Sequence, residues 1–96
     1  MPFELPVWAI DALRGVTPEE VYQALNAPRR WARPSTGAPI RVTLIAGRTT
    51  AGRPLVIACR EIEHFTLLII GARELTGSDL TVFEKWEEHS DEPFQG

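Results

Sequence analysis

The sequence predicts an α+β domain: two N-terminal helices, a three-stranded antiparallel β-meander, and a C-terminal helix packed on the sheet. Three observations carry that expectation. A fully signalled helix start stands at Thr17, the apolar period turns from helical to alternating at Ile40, and a second hydroxyl-led helix start follows the last apolar run at Thr76. With 96 residues the chain has room for one core, so residues 1–90 read as a single compact domain and 91–96 as a disordered tail.

The first predicted helix covers residues 6–13, with Val7, Ile10 and Leu13 at helical spacing and Gly15 as its stop. Thr17-Pro18-Glu19-Glu20 starts the second: threonine at the N-cap, proline in the first helical position, and a glutamate placed to close a capping box. Val21, Ala24 and Leu25 form its apolar stripe, and Pro28 ends it by restricting the residue before it. Residues 29–39, RRWARPSTGAP, read as a loop, since two prolines and a glycine break any run of backbone donors.

From residue 40 to 47, Ile40, Val42, Leu44 and Ala46 alternate with Arg41, Thr43, Ile45 and Gly47, as in a half-buried strand. Residues 53–60 repeat the pattern, with Leu55, Ile57 and Cys59 on one face. Phe65 to Ile70 is an unbroken apolar run suited to a central strand covered on both sides. Thr76 caps the last helix, whose stripe is Leu80, Phe83 and Trp86 with Val82.

Net charge is −3, but its distribution is uneven. Residues 29–60 hold seven arginines and no acid, whereas residues 1–28 sum to −3 and residues 74–96 to −6. Arginine suits bidentate phosphate or carboxylate binding. A single cysteine, Cys59, excludes an internal disulfide, fits a reducing compartment and makes the cytoplasm the expected location. The N-terminal stretch, with Glu4 and Asp11 among its apolar residues, has no basic leader, so neither a signal peptide nor a membrane span is expected. No metal-ligand spacing, phosphate-loop motif or nucleophile-elbow serine is present, so no metal or other cofactor is expected and the serine hydrolase and nucleotide-loop classes drop out.

The stretch GRTTAGR, residues 47–53, sits between two predicted strands. A four-residue loop there sets Arg48 opposite Arg53 and Arg41 opposite Arg60, and like charges so placed disfavour the pairing. An anion is therefore expected nearby. It is either a phosphate, held by guanidinium forks with Thr49 and Thr50, or the acidic C-terminal helix folded back over the sheet. Trp31, among Arg29, Arg30 and Arg33, reads either as a base-stacking residue in a basic loop or as a cap on the core. His64 titrates near neutral pH when unperturbed and reads as a proton carrier or as a half-exposed polar residue.

In order, GVTPEEVYQALNAP, LIAGRTTAGRPLVIA and LLIIGARELTGSDLTVFEKW resemble the BrnT-type ribonuclease toxins of bacterial toxin–antitoxin pairs, over residues 13–86. The resemblance implies a RelE/ParE-like fold, RNA cut without a metal, and neutralisation by a ribbon-helix-helix antitoxin. Carried onto this chain it points to Arg48, Arg53 and Arg73, with Thr76 and Glu84 as secondary positions. Such cleavage needs charge neutralised at phosphorus and protons moved, so His64 and Glu84 stand as proton carriers and Arg29, Arg30, Trp31, Arg41 and Arg60 as the RNA-binding set. The family's Lys- and His-rich first helix is replaced here by VWAIDALRG, and the isoelectric point is 5.3. Those departures motivate a second reading, a non-catalytic protein-interaction or regulatory domain of the same fold. A third is a homodimer in which the acidic last helix of one copy meets the cationic strands of its mate.

Overall fold

Large apolar side chains at every second position from Ile45 to Ile69 fix a sheet with one well-covered face. The computed structural model describes residues 3–34, 42–62 and 66–89. In chain order the elements are β1 (Phe3–Glu4), α1 (Val7–Ile10), β2 (Leu13–Arg14), α2 (Pro18–Leu25), β3 (Trp31–Pro34), β4 (Thr43–Arg48), β5 (Pro54–Glu61), β6 (Leu67–Glu74) and α3 (Gly77–His89). They form an α+β unit around a six-stranded mixed sheet.

Strands β3, β4, β5 and β6 lie side by side and antiparallel, and both β1 and β2 pair parallel to the far edge of β6. The sheet is thus wider than the three strands expected. The first helix is a single turn, because Leu13, expected to end it, pairs with Ala72 of β6 instead, and Arg14 pairs with Arg73. Trp31 to Pro34, expected in a loop, form an edge strand registered from Trp31↔Ala46 to Pro34↔Thr43. Proline is tolerated there because an edge strand can spare a backbone donor. The last strand runs on to Glu74, beyond the apolar run that announced it. Ile40, Arg41, His64, Phe65 and the tail at 91–96 lie outside the described residues.

The main core lies on one face of the sheet. Val21, Ala24 and Leu25 of α2 pack on Ile45, Leu55, Ile57, Cys59, Leu67, Ile69 and Ala72. Helix α2 is set by its capping box: the Glu20 amide donates to Thr17 Oγ1 at 3.1 Å and the Thr17 amide to Glu20 Oε1 at 3.0 Å. Its C-terminal end can approach β4 because residue 47 is glycine. A Cβ there would sit 2.7 Å from the Ala24 carbonyl oxygen.

On the opposite face α3 covers one end of the sheet. Phe83, 1 % exposed, packs with Ala46 and Leu75, and Trp31, Val56, Leu80 and Trp86 close around them. Burying a phenylalanine in this way contributes about 1.5–3 kcal/mol. Rings and guanidinium groups stack in sequence across this seam. Arg33 lies 4.2 Å over Trp31, Trp31 stacks on Trp86 at 5.5 Å, Trp86 on Phe83 at 5.6 Å, and Arg48 lies 5.7 Å over Phe83.

Candidate functional site

The turn between β4 and β5 spans five residues, not four. The Thr49 amide donates to the Arg53 carbonyl at 2.9 Å, the Gly52 amide to the Thr49 carbonyl at 2.9 Å, and Gly52 takes a left-handed φ of 89°. Arg48 therefore faces Pro54 rather than Arg53. The extra residue sends the two guanidinium groups to opposite faces of the sheet, which removes the like-charge opposition a shorter loop would impose.

Each finds carboxylates of its own chain. Arg48 donates from Nε and Nη2 to the two oxygens of Glu87, both at 2.8 Å, and from Nη1 to the Gly52 carbonyl at 2.8 Å. Arg53 donates from Nη1 to both oxygens of Glu20 at 3.0 Å, and from Nη2 to the Gly15 carbonyl at 2.7 Å and to Glu74 at 3.3 Å. The bonds from Glu87 in one case, and from Glu20 and Glu74 in the other, hold both arginines still more firmly protonated. The Glu20 carboxyl is in turn held below its ordinary range, first by the Thr17 backbone amide and then by Arg53. The acidic last helix thus supplies the anion for Arg48, and α2 with β6 supplies it for Arg53. A groove of about 580 Å³ beside the hairpin tip, lined by Tyr22, Gln23, Asn26, Arg48 and Thr50, borders an arginine already engaged.

Arg73 stands differently. It lies on the α3 face of β6, half exposed, with one contact to Asp79 at 3.4 Å and one to the Glu74 carbonyl at 3.3 Å. Strand register builds a frame around it. One row across this face reads Trp31, Ala46, Val56, Arg73, Arg14, and the next reads Arg33, Leu44, Ala58, Gly71. Beyond these, Arg60 pairs with Leu68. Helix α3 covers the first row only in part, so Leu44, Val56, Ala58 and Gly71 floor a depression of about 240 Å³, with Ala12, Arg14 and Arg73 along one side. Arg14, Arg33, Arg60 and Arg73 are all solvent-exposed around it. Among the described residues Asp79 is the carboxylate whose ion pair reaches this frame, through Arg73; the Glu20 and Glu74 carboxylates bind Arg53 on the opposite face. The arrangement is an apolar dish with a cationic rim, fitted to a flat group on the floor and anions at the edge.

The remaining sequence candidates are dispersed. Arg29 donates to the Glu87 carbonyl and lies 5.9 Å over Trp86, and Arg30 donates to the Leu25 carbonyl, so both tie β3 and its approach to neighbouring helices. Trp31 is engaged by Trp86, stacked at 5.5 Å, and by Arg33, 4.2 Å from its ring centroid, so it serves the packing of this seam. Glu84 is exposed on α3 and adds to the negative field at Arg48. Thr76 is exposed, and its carbonyl accepts the first bond of α3, from the Leu80 amide at 3.3 Å. Arg41 and His64 lie outside the described residues.

Arg14 and the dish floor escape a sequence reading. The small residues Ala58 and Gly71, on the face opposite Ile57 and Ile69, were the available sign of an uncovered patch; nothing local shows that Arg14 lies beside Arg73. Among the described residues no group of His, Cys, Asp and Glu side chains is placed to hold a metal ion, and no helix is long and apolar enough to cross a membrane. No known-family model and no curated protein sequence matches the chain.

Proposed function

We propose that the protein is a BrnT-like, RelE/ParE-fold toxin of the cytoplasm, an endoribonuclease that engages RNA on the arginine-framed face and is neutralised by a ribbon-helix-helix antitoxin. The observation that supports it best is the half-free Arg73 at the edge of that dish. Arg14, Arg33 and Arg60 are spaced around an apolar floor that suits unstacked bases, and rim guanidinium groups suit phosphates. In this reading Arg73 neutralises charge developing at phosphorus, and the adjacent Asp79 carboxylate accepts the 2′-hydroxyl proton. The 2′-oxygen attacks phosphorus, the P–O5′ bond breaks and the departing oxygen takes a proton from solvent, which leaves a 2′,3′-cyclic phosphate and a 5′-hydroxyl. Arg48 and Arg53 hold the hairpin in place and do not meet the substrate.

The reading is tested on purified protein with single-stranded RNA. Wild type is expected to bind and cut it; Arg73→Ala is expected to lose cutting at least about a hundredfold, as when one charge-stabilising donor is removed. Asp79→Asn is expected to bind yet cut slowly. Arg53→Ala is expected to lower the melting temperature first. Absence of both binding and cutting by the wild type overturns the proposal.

One observation favours the second reading, a non-catalytic interaction domain: Arg48 and Arg53 are each closed by carboxylates of the same chain. Binding to RNA at the dish without cleavage, in the same assay, is the outcome that selects it.

A further inference from the structure

One surface remains unexplained by an RNA-binding face, and it is complementary to the dish. The single turn α1 presents Val7, Trp8 and Ile10 to solvent with 83, 59 and 44 % of their areas exposed. Three large apolar side chains on four residues form a contiguous knob, of the kind that marks an interaction site. Exposed Glu4 and Asp11 flank it. The dish has the converse character, an apolar floor of Leu44, Val56, Ala58 and Gly71 inside a rim that includes Arg14 and Arg73.

We infer that the protein self-associates as a two-fold dimer in which α1 of each copy seats Trp8 in the dish of the other. Charge complementarity selects a second copy as the occupant, since an apolar knob with carboxylates beside it meets an apolar floor with guanidinium groups around it. Closure comes from where the two surfaces lie. Helix α1 ends at Ile10 and Ala12 already lines the dish, so a copy that offers its knob presents its dish to the same neighbour. That gives a closed pair with two identical contacts instead of an open chain. Tryptophan and arginine are the residues that most often anchor such contacts. The dimer differs from one built on α3, whose Glu87 and Asp79 are bound to Arg48 and Arg73 of their own chain. It also covers the face assigned to RNA, which makes it a closed storage form, but the inference stands on exposure and charge and needs no RNA to test.

Sedimentation velocity of the full chain, from low to several hundred micromolar, is the experiment. Wild type is expected to pass from monomer to dimer over this range, and Trp8→Ala and Ala58→Glu to weaken association by roughly tenfold or more each. Far-UV circular dichroism checks that both variants fold; if Ala58→Glu does not, Arg73→Glu, on an exposed side chain, replaces it. The deciding sample is an equimolar mixture. Trp8→Ala keeps an intact dish and Ala58→Glu an intact knob, so the mixture regains one native contact and is expected to associate more strongly than either variant alone. A wild type that stays monomeric, a Trp8→Ala that dimerises like wild type, or a mixture no stronger than its components overturns the inference.

Discussion

Glu20 serves two structures with one carboxylate, closing the cap of α2 and binding Arg53. Its folded pKa lies below the unfolded value of 4.5. The stability it contributes is therefore fully present above pH 4.5 and is lost as pH falls through the lower folded value. Glu20→Gln should be less stable than wild type at neutral pH, with a gap that narrows as pH drops below 4.5 in urea unfolding followed by circular dichroism. A gap that widens on acidification would contradict the assignment. Cys59 is the opposite case, a thiol fully buried in the main core and pushed up to about 12 by desolvation. A thiol-specific disulfide reagent at pH 8 is expected to leave native protein unmodified over minutes and to react at once after denaturation. At this scale the sequence marked Arg48 and Arg53 as needing an anion, and both have one. The acidic last helix was one of the two anions the sequence offered, and it supplies Glu87 to Arg48; Glu20 and Glu74, the partners of Arg53, were illegible because they come from remote elements.

Elements whose signals are local were readable, and those whose partner is distant were not. Helix α2 carries its cap, its stripe and its stop within residues 17–28, and the structure gives it the same start and the same buried face. Strands β1, β2 and β3 have two, two and four residues and no alternation long enough to announce them; each exists because β6 or β4 offers an edge. The arginine frame was hidden for the same reason, since Arg33 and Arg14 enter it through those strands. Gly47 shows how tightly α2 is set against the sheet. Gly47→Val would drive carbon into the Ala24 carbonyl, and the forced shift should cost about 1–3 kcal/mol in denaturant unfolding. A comparable change at Gly71, where an added Cβ meets nothing closer than 3.6 Å, should cost less.

Over the whole molecule, a net charge of −3 conceals a division of labour. Glu20, Glu74, Glu87 and Asp79 are engaged by Arg48, Arg53 and Arg73, while Arg14, Arg33 and Arg60 form no ion pair with another described residue. If single-stranded RNA lies on this face, each phosphate neutralised contributes about −0.7 to the slope of log affinity against log salt, so the four rim arginines predict a slope of roughly −3. Fluorescence anisotropy at several salt concentrations measures it, and a slope near zero would mean that the rim does not hold phosphates. The sheet's borders have a consequence of a different kind. Along β6 the outer row is broken into two dipeptide strands by the turn of α1, and along β3 the last described residue, Pro34, has no amide hydrogen to offer. Among the described residues neither border presents the long unpaired ladder that templates strand-by-strand growth, which disfavours fibrillar stacking along these edges.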